Sequence, residues 1–437
     1  MSNPKALYFC KPLSKPSTSV MYDGQFGEYL MSKCSAVAVE IDQSYCSKCS
    51  ICQSVCPFEA ITRNKETDEY KIDLQKCQVC GICYSACPVN AIKIAYYDYP
   101  SMLKKTRQKP RGKKSDTLVL MCRGNSPSTC EVEGILEEKG LNIKNYVPLR
   151  LPCSGRVPTE FIFKAVENGV KNIVSIQCED GFCRFKDGTK INARRLALGR
   201  AFLEQMGYDK KALTVVRYSR KAVYETEKCV GCDKCVFVCP YDAIEAQAFA
   251  TPEIDLDKCV GCGACALVCP HLAIQLKGFE FDTVASLIKR YQKAAKQIKR
   301  KGPTILVFCC QWSEFSALDD PESLLFKKRA VAVEIPCSKS LDPVHVVQAL
   351  QGGFDGVMAV VCGEADCKLE EGKDTAARNL AVLEDVLKKR NLLNRFEFFT
   401  TSPRCVGEFN QRLDDFIKKV AAMKPLPTIK SGGKSHA

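Results

Sequence analysis

Short, almost wholly apolar runs alternate with longer amphipathic stretches in two parts of this chain. In the first part TLVLMC (117–122), NYVPLRLPC (145–153), NIVSIQC (172–178) and LTVVRYS (213–219) read as strands. Runs this short and this apolar suit strands buried on both faces. VPTEFIFKAVENGV (157–170) has apolar residues at helical spacing, enters through Pro158-Thr159 and closes at Gly169. INARRLALGRAFLEQMG (191–207) is the next helix. The second part repeats the succession: TILVFCC (304–310), VAVEIPC (331–337), DPVHVVQALQGG (342–353), GVMAVVC (356–362), TAARNLAVLEDVLKKR (375–390) and FEFFTT (396–401). Strands alternating with helices of this length predict a parallel sheet, twice. Two other stretches, EAITRNKETDEYKIDLQK (59–76) and DAIEAQAFATPEIDLDK (242–258), alternate and turn like short hairpins. Two basic segments precede the parallel-sheet regions, KKTRQKPRGKK (104–114) and IKRYQKAAKQIKRK (288–301). The second is helical, with Val284, Leu287, Ile288, Tyr291, Ala295 and Ile298 on one face. Both read as solvated linkers.

Cysteine changes the picture. The chain has 437 residues and 29 cysteines but only 3 histidines. So much cysteine marks either a secreted disulfide scaffold or an intracellular metal protein. MSNPKALYFCKPLSKPSTSV has no apolar core of signal-peptide length, and no run approaches the roughly 18 apolar residues that span a bilayer. The expectation is a soluble, cytoplasmic chain whose thiols are reduced and available as ligands.

Four runs share one spacing: CSKCSICQSVCP from Cys46, CQVCGICYSACP from Cys77, CVGCDKCVFVCP from Cys229 and CVGCGACALVCP from Cys259. Each is C-x2-C-x2-C-x3-C-P, the bacterial ferredoxin spacing for a [4Fe–4S] cubane. Three thiolates two residues apart wrap a tight loop around three irons, and the fourth points to the other cluster of the pair. Zinc sites usually pair two C-x2-C knuckles and do not repeat this three-plus-one run. Cross-ligation then predicts four cubanes. Cys46, Cys49 and Cys52 go with Cys87, and Cys77, Cys80 and Cys83 with Cys56. In the second pair Cys229, Cys232 and Cys235 go with Cys269, and Cys259, Cys262 and Cys265 with Cys239. Both regions resemble two-cluster bacterial ferredoxin domains, over roughly 41–97 and 224–277.

The pairs belong to a larger repeat. Cys46 and Cys229 lie 183 residues apart, and Cys153–Cys337, Cys178–Cys362 and Cys183–Cys367 are each 184 apart. A period this long is a duplicated module. The expected fold is α+β and α/β multidomain: two ferredoxin-like domains alternating with two small parallel-sheet α/β domains, as an internal tandem duplication. The expected boundaries are an N-terminal extension 1–40, a ferredoxin domain 41–100, a basic linker 101–116 and an α/β domain 117–222. There follow a ferredoxin domain 223–280, a helical linker 281–302, an α/β domain 303–403 and a tail 404–437.

In the α/β domains Cys122, Cys153 and Cys178 end strands and Cys183 follows in the next loop; Cys310, Cys337, Cys362 and Cys367 match them. The carboxyl ends of parallel strands are where such sheets bind ligands. Four converging thiolates suffice for one [2Fe–2S] cluster or one tetrahedral metal. Buried structural cysteine explains one such residue, but not four recurring at one offset.

LPCSGRVPTEFIFKAVENGVKNIVSIQCEDGFC resembles the delta subunit of methyl-viologen-reducing hydrogenase, and IPCSKSLDPVHVVQALQGGFDGVMAVVCGEADC matches more loosely, having lost the glycine after the serine. The resemblance spans roughly 117–222 and 303–403. It implies a [2Fe–2S] cluster in one or both α/β domains and docking to heterodisulfide reductase, as in methanogens; similar domains occur in quinone-interacting complexes of sulfate reducers. The family's second cysteine, three residues beyond the first, is here Asn125 or Ser313. Cys130 is then an alternative ligand in the first copy, and Cys309 competes with Cys310 in the second. Cys10, Cys34 and Cys405 are left over.

The formal charge of +14 naively suggests nucleic acid or anionic membrane. Six clusters at about −2 each bring about −12 and leave the loaded protein near neutral. Neither basic segment interleaves aromatics as a single-strand binding surface does. No dinucleotide, phosphate-loop or haem motif is present, and His271, His345 and His436 are too scattered for acid–base work. The sequence therefore predicts an electron-transfer subunit with no substrate site of its own. Its expected partners are flavin-, hydrogenase- or heterodisulfide reductase-like subunits of an anaerobic complex, with ferredoxin a further candidate and no nucleic acid. The alternatives are a relay in a quinone-interacting complex, peripheral to the membrane through that complex, and a self-contained redox enzyme.

Overall fold

In this computed structural model the described residues are 37–107, 116–124, 127, 131–143, 145–248, 250–297, 302–317, 325, 328–363, 366–369 and 371–426. Cys10, Cys34, Asn125, Cys130 and Ile298 lie outside them. The chain forms two compact units: 1–220 with 316–319 and 403–406, and 221–315 with 320–402 and 407–437.

The first unit opens with a small antiparallel domain: β1 (Val39–Ile41), α1 (Ile51–Ser54), β2 (Ile61–Arg63), β3 (Tyr70–Ile72), α2 (Ile82–Ala86) and β4 (Ile92–Ile94). β1 pairs with β4, Val39 opposite Ile94, and β2 with β3, Ile61 opposite Ile72. The N-terminal extension expected over 1–40 is shortened accordingly. Val37 and Ala38 are buried, Val37 bridges Cys405, and Ala38 N donates to Arg404 O at 2.8 Å. Arg404 Nε in turn donates to Cys77 O at 2.8 Å, so residues 403–406 complete this domain.

Then come α3 (Tyr99–Thr106), β5 (Thr117–Cys122), α4 (Val132–Glu138), β6 (Val147–Leu151), α5 (Thr159–Glu167), β7 (Asn172–Cys178), α6 (Gly188–Gln205) and β8 (Leu213–Tyr218). The four strands form a parallel sheet in the order β6-β5-β7-β8. Central β5 is buried at every position, whereas edge strand β6 alternates. Helices covering both faces account for the continuous apolar runs. α3 belongs to this domain: Asp98 caps it by accepting from Ser101 N at 2.9 Å, and Met102 is fully buried. The expected linker over 101–116 is thus partly a packed helix.

The second unit repeats the order: β9 (Ala222–Tyr224), α7 (Lys234–Val238), β10 (Ile244–Glu245), β11 (Glu253–Ile254), α8 (Ala264–Val268) and β12 (Ile274–Leu276). There follow α9 (Phe281–Gln297), β13 (Ile305–Cys310), β14 (Ala330–Ile335), α10 (Pro343–Gln351), β15 (Gly356–Cys362), α11 (Gly372–Lys389), β16 (Phe396–Thr401) and α12 (Glu408–Ala421). Its sheet order is β14-β13-β15-β16, also parallel.

Two expectations fail here. Residues 281–297 of the expected linker are not solvated: α9 buries Val284 and Ile288 in the core of the α/β domain, with Leu287 and Tyr291 packed beside them. Its basic residues line the other face, as on any amphipathic helix. Nor do the described residues 404–426 form a tail. α12 buries Phe409, Leu413, Phe416 and Val420, each contributing about 1.5–3 kcal/mol of burial. Glu314, itself fully buried, caps the helix through Gly407 N at 2.7 Å and Phe409 N at 2.6 Å. His345 is buried too, stacked on Phe281 and bonded to its carbonyl.

Candidate metal centres

Each C-x2-C-x2-C loop is wound by two left-handed residues that flank its second cysteine. They are Lys48 and Ser50, Val79 and Gly81, Gly231 and Asp233, and Gly261 and Gly263. Left-handed backbone costs a non-glycine residue about 1–2 kcal/mol, and Val79, being β-branched, is a genuine outlier. Such strain persists only where the surroundings over-determine it.

The fourth cysteine of each run crosses over. Cys46, Cys49, Cys52 and Cys87 line one pocket, and Cys56, Cys77, Cys80 and Cys83 another. In the second unit Cys229, Cys232, Cys235 and Cys269 line one, and Cys239, Cys259, Cys262 and Cys265 the other. We call the Cys46 and Cys229 quartets outer and the Cys77 and Cys259 quartets inner, because Cys49 and Cys232 are exposed whereas Cys80, Cys83, Cys262 and Cys265 are buried. The crossing cysteines accept backbone hydrogen bonds four residues on: Ala60 N to Cys56 Sγ at 3.4 Å, Ala91 N to Cys87 Sγ at 3.2 Å, Ala243 N to Cys239 Sγ at 3.4 Å and Ala273 N to Cys269 Sγ at 3.2 Å. N–H donors aimed at sulfur favour thiolate. Burial works the other way, pushing Cys77 up to about 12 and Cys80 and Cys52 up to about 11. Ligation releases those protons.

The third kind of quartet sits at the carboxyl edge of each sheet. The strand order reverses around β5 and β13, and the ends of β5 and β7, then of β13 and β15, meet at that switch point. Cys122 and Cys178 lie there with sulfurs 3.7 Å apart, and Cys310 and Cys362 with sulfurs 3.9 Å apart. Cys153 and Cys337 do not end strands: β6 and β14 stop two residues earlier, and both cysteines open tight turns, Ser154–Arg156 and Ser338–Ser340. Cys183 completes the first set, its sulfur and that of Cys153 both lying against Gly188, and Cys367 the second, its sulfur and that of Cys337 both lying against Gly372. Hydrogen bonds from neighbouring thiols pull Cys122, Cys183, Cys310 and Cys367 down, the last to about 6. Cys153, Cys178, Cys337 and Cys362 are pushed well up. Four thiols gathered at one sheet edge fit a site that binds metal as thiolates.

The competing cysteines separate. Cys309 is buried and points back to Val307 O at 3.9 Å, whereas Cys310 faces Cys362. Cys405 is disulfide-bonded. Among the described residues no three His, Cys, Asp or Glu side chains converge as on one metal ion, and a cluster, unlike zinc, spreads its thiolates over several irons.

Sequence reasoning passed over the residues that close these sites. α6 and α11 start at Gly188 and Gly372, 184 residues apart like the cysteines. A Cβ on Gly188 would lie 2.4 Å from Cys153 Sγ, and one on Gly372 3.0 Å from Cys337 Sγ. Each helix thus points its N-terminus, with its positive dipole end, at a thiol quartet. Arg195 on α6 ties inner loop to sheet, its Nη1 donating to Ser85 Oγ and Gly155 O at 2.7 Å. The shared offset was the available signal.

Comparison with known proteins places these features. The methyl-viologen-reducing hydrogenase delta-subunit model matches 118–231 and 305–424, more than half of the chain, and 4Fe-4S dicluster domain models match 45–91 and 218–276. The chain is 30% identical over 205 residues, 46% of its length and 25% of that protein's, to the A subunit of the ferredoxin/F(420)H(2)-dependent CoB-CoM heterodisulfide reductase of Methanosarcina acetivorans. It is 33% identical over 87 residues, 20% of its length and 64% of that protein's, to the iron-sulfur D subunit of the F420-non-reducing hydrogenase of Archaeoglobus profundus. The iron-sulfur D subunit of the vhc F420-non-reducing hydrogenase from Methanococcus voltae is 24% identical over 135 residues, 30% of this chain and 94% of that one. The chain spans about a quarter of the length of the heterodisulfide reductase subunits it matches. No helix among the described residues is long and apolar enough to cross a membrane.

Proposed function

Because the chain belongs to the methyl-viologen-reducing hydrogenase delta-subunit family, we propose that it is an iron–sulfur electron-transfer subunit of a hydrogenase- or heterodisulfide reductase-type complex. In this reading a ferredoxin-like domain precedes an α/β domain twice, as a tandem duplication. The outer and inner quartets hold four [4Fe–4S] clusters, and the quartets of Cys122, Cys153, Cys178 and Cys183 and of Cys310, Cys337, Cys362 and Cys367 each hold a [2Fe–2S] cluster. Such clusters supply one-electron redox chemistry at potentials set by their surroundings.

The polypeptide supplies the rest. Its left-handed loops present three thiols to one pocket, and the crossing cysteine locks two loops together. Buried aliphatic walls such as Ile82 and Ile274 exclude water. The observation that carries the reading is the succession of quartets. In the first unit a Cβ on Gly188 would lie 2.4 Å from Cys153 Sγ and 3.9 Å from Ile82 of the inner loop, and in the second one on Gly263 of the inner loop would lie 2.6 Å from Ser340, three residues beyond Cys337. Each unit therefore lines up exposed outer, buried inner and sheet-edge sites, the order a relay requires. The partners proposed are redox subunits of the kinds whose relatives this chain resembles.

The test is anaerobic purification of the full chain with iron analysis and low-temperature EPR. The expected content is about 20 irons, with cubane signals and slower-relaxing binuclear ones. About 16 irons without a binuclear signal overturns the α/β half of the reading.

A further inference from the structure

The turn after the second strand of each parallel sheet carries a buried cation that takes no part in ligation. In the first unit it is Arg156, 1% exposed. Its side chain crosses into the inner cysteine loop, where Nε donates to Cys80 O at 3.2 Å, Nη1 to Tyr96 O at 2.8 Å and Nη2 to Val79 O. Gly81 makes the room, since a Cβ there would lie 2.2 Å from Arg156 Nε. In the second unit the equivalent of Arg156 is Ser340, whose Cβ would meet a Cβ on Gly263 at 2.6 Å. The positive charge reappears one residue earlier as Lys339, 2% exposed, in a turn packed on both α8 and α11.

We propose that Arg156 and Lys339 set the reduction potentials of the clusters in the inner quartets, and that Lys339 acts on the sheet-edge cluster of its unit as well. The inference rests on the cluster assignment proposed above. A full charge is costly to bury unless opposite charge lies close, and both turns sit where an inner quartet meets a sheet-edge quartet. Lys339 lies two residues beyond Cys337, in a turn whose Ser340 lies against Gly263 of the inner loop and whose Ser338 Oγ donates at 2.8 Å to the carbonyl of Gly372, the residue that faces the sulfurs of Cys337 and Cys367. A fixed cation in a poorly screened interior favours the more negative redox state. Each couple takes up one electron. The reduced form therefore loses support when the cation is removed.

The experiment is an EPR-monitored potentiometric titration of the full chain, wild type against Arg156→Met, Arg156→Lys, Lys339→Met and Lys339→Arg. At a fixed applied potential near the midpoint, Arg156→Met should raise the oxidised-to-reduced ratio of one cubane component about tenfold, a shift of about 59 mV for a one-electron couple. Binuclear components should stay in place. Lys339→Met should move one cubane and one binuclear component in the same direction, and the two charge-conserving variants should move neither. A merely structural side chain would leave all midpoints where they were. Unmoved components at wild-type iron content overturn the inference and leave the cluster assignment standing. Absence of cubane signals from the wild type overturns the assignment and the inference together. Should Arg156→Met shed iron, the lysine variants decide by the same criteria.

Discussion

Replacing Gly188 by alanine tests the α/β site with one methyl group. The added Cβ would lie 2.4 Å from Cys153 Sγ and 3.5 Å from Cys183 Sγ. Non-bonded carbon contacts sit at about 3.5–4.0 Å, so the sulfur of Cys153 has to move by more than about 1 Å. Two terms compete. Alanine favours a helix over glycine by about 0.5–1 kcal/mol, and overpacking a filled site costs about 1–3 kcal/mol. The clash wins, leaving the variant about 1 kcal/mol less stable. The displaced ligand should also empty the site, lowering iron by about 2 of about 20 and removing one binuclear signal while the cubanes persist. Gly134 is the internal control, because it lies inside α4 with nothing within 4 Å of its virtual Cβ. Gly134→Ala should therefore be stabilising by about 0.5–1 kcal/mol with no loss of iron. Gly372→Ala, with contacts of 3.0 and 3.2 Å, should fall between. Denaturation curves with iron analysis read both effects. A Gly188→Ala protein as stable as Gly134→Ala and full of iron would refute the argument.

Two further outcomes follow from the geometry. Cys56→Ala should damage the cluster of Cys77, Cys80 and Cys83 and spare that of Cys46, Cys49, Cys52 and Cys87, leaving a three-iron or labile site visible by EPR. Cys239→Ala should do the same to Cys259, Cys262 and Cys265, and loss of only the Cys46 cluster from the first variant would mean that each run binds its own cubane. Glu314→Gln should lower stability by about 1–3 kcal/mol, because a buried acceptor pair at the start of α12 becomes half donor; an unchanged denaturation midpoint would show that the cap is dispensable.

The strands were legible because burial on both faces forces continuous apolar runs, as in β5 and β15. The quartets were legible because cysteine spacing repeats without a gap. Other parts hid for physical reasons. α12 keeps its apolar residues at 409, 413, 416 and 420, a helical stripe, but lysines and acids between them make it look like a tail. α9 and its apolar face were legible too, but its basic face made the helix look like a solvated linker. Arg156 and Lys339 look like surface cations until a partner domain covers them, and that covering is tertiary. Gly188 and Gly372 look like loop glycines, because a sulfur that approaches from a distant turn leaves no local trace.

Residues 403–406 give the first unit an unusual order of assembly. Arg404 bonds to Cys77 across 327 positions of sequence, so a domain built almost wholly from one early stretch waits for residues far downstream. At about 5–20 residues per second of synthesis, that separation corresponds to roughly 16–65 s on the ribosome. Throughout that interval the nascent first domain lacks the strand-like segment that pairs with Val37 and Ala38, and the loop of Cys77 lacks its guanidinium clasp. Closure of so long a loop is also paid late in folding. That domain is thereby completed only when Arg404 emerges, the event that seals its inner cysteine loop.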